Sequence, residues 1–137
     1  MLIGLSLLAA GLAIEPKELI AEDVVPEEIR ITMYSKDELV KKVYQYAETY
    51  KVNPKTIVAV ISCENREWDK DLQSRIINKK GEREKSYGLS QIHLPSHPHI
   101  SLEQATSPDF AIEFLAKNLS KGKGNMWTCY RNLKSNP

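Results

Sequence analysis

The chain has 137 residues, 19 of them basic against 18 acidic, and a net charge of +1. That length suits one domain, with room for a tail. Near-neutral charge, without a basic stripe interleaved with aromatics, argues against nucleic acid as a partner.

Residues 1–13, from Met1 to Ala13, carry no charged side chain. They are too few to cross a bilayer as a helix. They fit the apolar region of a signal peptide, with Gly11-Leu12-Ala13 as a small-x-small cleavage site. No Lys or Arg precedes the run, so only the amino terminus supplies positive charge. The reading is export, to the periplasm, the cell envelope or the exterior. The alternatives are a buried N-terminal helix and a truncated membrane anchor. Residues 14–34 are acidic and contain Pro16 and Pro26, which reads as a linker or arm. Residues 35–137 then form the folded domain.

Ser35 followed three residues later by Glu38 is a capping box, which opens a helix running to about Lys51. Val40, Val43, Ala47 and Tyr50 are its expected apolar stripe. Asn53 then caps a second helix, and Pro54 suits its first position, where a missing N–H is no loss. The two helices should form an αα-hairpin. On the second, Ile57, Val60 and Ile61 fall at i, i+3 and i+4, and Glu64 follows at i+7. A carboxyl at the end of an apolar face is unusual. Burial disfavours its charged form, so its pKa should rise, as a proton donor for acid catalysis requires. The plainer reading puts Glu64 at the helix rim, facing water.

Cys63 and Cys129 are the only cysteines. In an oxidising compartment they are expected to pair, closing a long loop that contributes about 3–4 kcal/mol. The alternative is two buried free thiols. Two cysteines so far apart do not make a zinc site.

From Glu67 to Lys85 no period lasts, and Asn78-Lys79-Lys80-Gly81 could tip a short hairpin. Such a stretch after Glu64 suits one wall of a cleft. A short segment, Ser86 to His93, follows. His93, His97 and His99 raise a zinc reading, since imidazole is a common zinc ligand. Pro95 and Pro98 break that segment, so no helix presents His93 and His97 together, and a polar loop is the preferred reading. No metal or cofactor is expected. Ser101 with Gln104 makes another capping box, and Ser107-Pro108 opens a helix through Ser120 that puts Ala111, Phe114, Leu115 and Asn118 on one face. Gly122 suits the position beyond its end. A last short helix is expected from Asn125, carrying Met126, Trp127, Cys129, Tyr130 and Leu133. The sum is a mainly α fold with one irregular or β-hairpin insertion.

In order, the chain presents Cys63-Glu64-Asn65 at a helix end, Ser86-Tyr87-Gly88-Leu89-Ser90-Gln91-Ile92, Ser107-Pro108-Asp109-Phe110-Ala111, and Trp127-Thr128-Cys129-Tyr130. This resembles the lysozyme-like soluble lytic transglycosylase (SLT) domain, in the superfamily that includes goose-type lysozymes. The resemblance covers about residues 36–134. The Gly-Leu-x-Gln-Ile element is its most specific part. The family often has serine where this chain has Asn65, and methionine where it has Ser90.

The resemblance implies a small lysozyme-like helical domain, monomeric, that cleaves the β-1,4 bond between N-acetylmuramic acid and N-acetylglucosamine in peptidoglycan. Glu64 would protonate the bridging oxygen, then act as base on the muramic 6-hydroxyl, closing a 1,6-anhydro ring. Hydrolysis, as in a lysozyme-type muramidase, is the alternative, and a second carboxylate would assist it. Asp69, Asp71, Glu82 and Glu84 are the acids available in the irregular stretch. Ser86 and Tyr87 could offer a hydroxyl to Glu64 or to an N-acetyl group. Gln91 could offer its amide to sugar hydroxyls, and Tyr130 could reach Glu64 from the last helix. Trp127 reads as core before sugar platform. A Cys63–Cys129 bridge would tie the helix bearing Glu64 to the terminal one. The remaining alternatives are a catalytically idle glycan-binding member of the fold in an envelope or secretion assembly, and a zinc hydrolase.

Overall fold

The computed structural model describes residues 33–136. The apolar segment 1–13, the arm up to residue 32 and the last residue lie outside them, and with them the expectations of a cleavable leader and an acidic arm. Among the described residues the fold is mainly helical, with one small two-stranded antiparallel sheet. None of their helices is long and apolar enough to cross a membrane.

Helix α1, Lys36–Tyr50, opens with the expected capping box. The Glu38 amide donates to Ser35 Oγ at 3.2 Å, and the Ser35 amide donates to Glu38 Oε2 at 2.7 Å. Its buried row is Leu39, Val43 and Ala47, one residue off the expected start. Val40 and Tyr50 flank this row, half-buried against the core. The shift has a physical reason. Helix α1 packs against two helices, so residues four apart along its central line are covered from both sides. Helix α2, Pro54–Glu64, begins at Asn53, whose side chain accepts from the Lys55 amide at 2.9 Å. Ile57, Val60 and Ile61 are fully buried, as their spacing predicts. Each such side chain contributes about 1.5–3 kcal/mol by leaving water.

Asn65 ends α2 and is itself fully buried. Its Nδ2 donates to Asp69 O at 2.6 Å and Gly88 O at 3.1 Å, and its Oδ1 accepts from the Asp69 amide at 3.0 Å. One amide side chain thereby joins the helix end, the loop after it and a turn further along the chain. Trp68 sits in that loop at φ 54°, its ring buried and its Nε1 donating to Ser62 Oγ at 3.2 Å.

The irregular stretch folds back on itself. The Glu84 amide donates to Ile76 O at 2.8 Å and the Asn78 amide to Glu82 O at 2.8 Å. Asn78 Oδ1 accepts from the amides of Lys80 and Glu82, and Gly81 supplies φ 78° at the tip. Strands β1, Ser86–Tyr87, and β2, Ile92–His93, pair antiparallel, with Ser86 opposite His93 and Tyr87 opposite Ile92. Gly88 turns between them at φ 80°, and a Cβ there would lie 2.0 Å from Ala105 O. Only glycine fits that close approach.

Ala105 belongs to α3, Leu102–Thr106, whose Ser101–Gln104 capping box is formed. Helix α4, Pro108–Ser120, is capped by Ser107 and buries Ala111, Ile112, Leu115 and Ala116. Phe114, expected on the buried face, is half-buried at its edge. Asp109 accepts from Lys42 Nζ at 3.0 Å and Tyr46 OH at 3.1 Å, and Glu113 accepts from Tyr50 OH at 2.6 Å, which registers α1 on α4. Burial first, then the Asp109 bond, pushes the Tyr46 hydroxyl up to about 12.

The last helix starts later than Asn125. A 3-10 turn, Gly124–Met126, precedes Trp127, and α5 is Thr128–Ser135. Trp127 holds the chain extended because its indole is buried against Phe114, with ring centroids 6.0 Å apart. Its Nε1 donates to Ser90 O at 2.7 Å. This bond ties the Gly88–Gln91 turn to the segment that enters α5.

Candidate active site

Glu64 is the last residue of α2 and is half-buried at the wall of a cleft of about 700 Å³. Its Oε1 accepts from the Cys129 amide at 3.2 Å. That N–H lies in the first turn of α5, where backbone donors lack intrahelical partners. Cys63 and Cys129 are disulfide-bonded, so the residue beside Glu64 is covalently joined to the residue that donates to it.

The carboxyl's pKa is raised. Burial is the largest cause, the Cys129 N–H opposes it, the Glu84 charge raises it further and Arg131 lowers it slightly. Removal of water penalises the charged form more than one backbone bond compensates. The group is thus held closer to the protonated form than a free glutamate, with a donor waiting for the charge left after proton release.

Ser86 and Gln91 line this cleft as the sequence suggests. Ser86 is buried, and its hydroxyl donates to Glu84 Oε1 at 2.5 Å rather than to Glu64. Gln91 sits at φ 48°, its Nε2 donating to Leu72 O at 3.0 Å and Gly88 O at 2.9 Å. Both protons of the amide are engaged, and Oε1 has no partner among the described residues. Gln91 can therefore accept from a ligand hydroxyl but has no proton left to donate.

Two expectations are corrected. Tyr87 does not line the cleft, because it alternates with Ser86 on β1 and turns to the other side, half-buried against the core. Tyr130 does not reach Glu64. One residue on from Cys129, a helix has rotated by about 100°, and the Tyr130 ring covers Gly124, leaving no room for a Cβ there. Lys134 Nζ lies 5.0 Å from the centroid of the same ring.

The four acids after Glu64 separate clearly. Asp69 Oδ1 accepts from the Asp71 amide at 2.9 Å, Asp71 pairs with Lys70 at 2.8 Å, and Glu82 accepts from Asn78 Nδ2 at 3.3 Å. Glu84 alone of the four lines the cleft. The signal was present: Glu84 and Ser86 are two apart, so an extended chain puts them on one side. The rim also carries Arg66 and a Glu67–Arg75 pair at 3.1 Å, none of them singled out from the sequence. Trp127 is core, as read, and shows part of its ring to the cleft wall beside Met126.

His93 lines the cleft too, with Nδ1 2.7 Å from Ser96 Oγ. His97 lies further on, T-shaped to Phe114 at 5.2 Å and 6.2 Å from His99. Among the described residues no three His, Cys, Asp or Glu side chains converge on a metal position. A second hollow of about 570 Å³ shares Glu84, Gln91, His93, Met126 and Trp127 with the first, so the cleft continues as a groove. A half-buried acid, a second carboxylate and an amide acceptor along a groove are groups suited to splitting an acetal in a polymer. No protein-family model, curated protein or solved structure matches the chain.

Proposed function

We propose that this chain is a peptidoglycan-cleaving enzyme of lysozyme-like fold, acting as a lytic transglycosylase. The observation that carries the reading is Glu64: a half-buried carboxyl at a cleft wall, raised in pKa by burial and bonded to the first turn of another helix. The ordered motifs from Cys63 to Tyr130 support the same fold, as does the sequence of an acid-ending helix, a hairpin and a helical remainder. The disulfide fits an exported protein.

In this reading Glu64 donates its proton to the glycosidic oxygen as the bond to the muramic C1 breaks. The departing sugar leaves as an alcohol and positive charge builds on C1 and the ring oxygen. The Glu64 carboxylate, held by the Cys129 N–H, then takes the proton of the muramic 6-hydroxyl. O6 bonds to C1 and closes the 1,6-anhydro ring, returning Glu64 to its acid form. Gln91 Oε1 accepts from a sugar hydroxyl. No water is consumed.

Glu84 favours a second reading, hydrolysis. It shares the cleft with Glu64, and its charge acts on Glu64. With the Ser86 hydroxyl fixing one oxygen, the other is free to orient a water or to face C1.

Mass spectrometry of soluble products from purified peptidoglycan tests both. Wild type should release fragments ending in 1,6-anhydromuramic acid, and Glu64→Gln should lower release by about 10²–10⁴-fold, as loss of a general acid does. Reducing-end products that vanish with Glu84→Gln would establish hydrolysis instead. Glycan binding without cleavage by wild type would leave an idle member of the fold.

A further inference from the structure

The groove does not end at Trp127. Beyond the second hollow lies a third of about 540 Å³, sharing His97, Phe114 and Met126 with it. Its wall carries Phe110 and Phe114, near-parallel at 14° with centroids 6.2 Å apart. Around them stand Lys117, Lys121 and Lys123. None of the three forms an ion pair among the described residues. The one carboxylate in this hollow, Glu113, accepts from Tyr50 OH. The lysines are not on a loose tail. The Lys121 amide donates to Lys117 O and Asn118 O, both at 3.2 Å, and the Lys123 amide donates to Asn118 O at 2.9 Å. Gly122, at φ 71°, makes the turn that brings Lys121 and Lys123 to the same rim.

The two ends of one groove thus differ in charge. The Glu64 end sets Glu64, Glu67 and Glu84 against Arg66 and Arg75, the latter paired with Glu67, whereas the far end sets three lysines against Glu113 alone, beside an aromatic pair. A neutral sugar backbone calls for hydroxyl partners and flat apolar surface, not for three ammonium groups. Peptidoglycan is a glycan that also bears short peptides with free carboxylates on its muramic residues. We propose that the lysine end binds the carboxylates of a stem peptide carried by the same strand that Glu64 acts on, with Phe110 and Phe114 under its apolar atoms. The proposal rests on the reading of Glu64 given above, and it makes the preferred substrate the peptide-bearing strand rather than bare glycan.

Calorimetry with full-length Glu64→Gln, which holds substrate without cleaving it, tests this. One ligand is a tetrasaccharide–peptide with free stem carboxylates, the second is the same molecule with those carboxylates converted to methylamides, and the third is neutral chitotetraose. The acid form should bind about tenfold more tightly than the amide, the sum expected of three exposed charge pairs, and added salt should erase the difference. Replacing Lys117, Lys121 and Lys123 together with Gln should remove that preference and leave chitotetraose affinity unchanged. Equal affinity for acid and amide would overturn the proposal, as would a preference that survives the triple replacement. Release of fragments by wild type is scored separately. Cleavage without acid preference sinks only this inference, whereas no cleavage sinks the reading of Glu64.

Discussion

Glu64 sits where four influences compete, the last of them Arg131, which favours the carboxylate. Burial favours the acid, the Cys129 N–H favours the carboxylate and the Glu84 charge again favours the acid. Burial wins, so the folded protein binds that proton more tightly than the ordinary value of 4.5 implies. The fraction of Glu64 able to donate is therefore full below that value and declines as pH rises through the raised one. The next residue, Asn65, acts on the scaffold. Its amide joins Asp69 to Gly88, and Ala at this position would leave the Asp69 amide and two carbonyls without those bonds. Asn65→Ala should cost about 3 kcal/mol in urea denaturation. A loss below about 0.5 kcal/mol, the range of ordinary surface changes, would contradict this role.

Among the elements, α2 and α5 carry the site between them, and the disulfide joins them at the point where Glu64 meets Cys129. Its ends are 66 residues apart in the chain, so the loop-entropy estimate gives it about 4 kcal/mol. Cys63→Ser with Cys129→Ser should lose stability of that order and lower cleavage even below the unfolding transition, because the donor to Glu64 is no longer tethered. Unchanged denaturation and unchanged activity would contradict both statements. What could be read in the sequence at this scale was the local chemistry. The Ser35–Glu38 and Ser101–Gln104 capping boxes and the Asn53-Pro54 start are formed because each needs only residues within one turn. The Ile57, Val60 and Ile61 stripe held for the same reason. Orientation depended on partners further away. Leu39 displaces Val40 because two helices cover α1; distant packing turns Ser86 and Cys129 to the cleft, so Tyr87, by strand alternation, and Tyr130, by about 100° of helix rotation, face elsewhere. Glu84 differs from the other three acids in its two-residue spacing from Ser86, but only the chain reversal at Asn78–Gly81 shows that this side faces the cleft.

For the molecule as a whole, a net charge of +1 conceals an uneven distribution along one groove. The helices leave this groove between them, and Gln91, Trp127 and Gly88 brace it through bonds and contacts made to backbone. The scaffold therefore fixes the acid, the second carboxylate and the far lysines along one groove, an arrangement that suits the polymer substrate proposed above. The central claim is that Glu64 gives up its proton to such a substrate. The most direct test is the initial rate of fragment release from purified peptidoglycan as a function of pH, for wild type and Glu84→Gln. The rate should fall with rising pH through a midpoint above the ordinary glutamate value, and Glu84→Gln, which removes a charge that raises Glu64, should move any residual activity to a lower midpoint. A rate indifferent to pH across that range, or undiminished release by Glu64→Gln, would contradict the account.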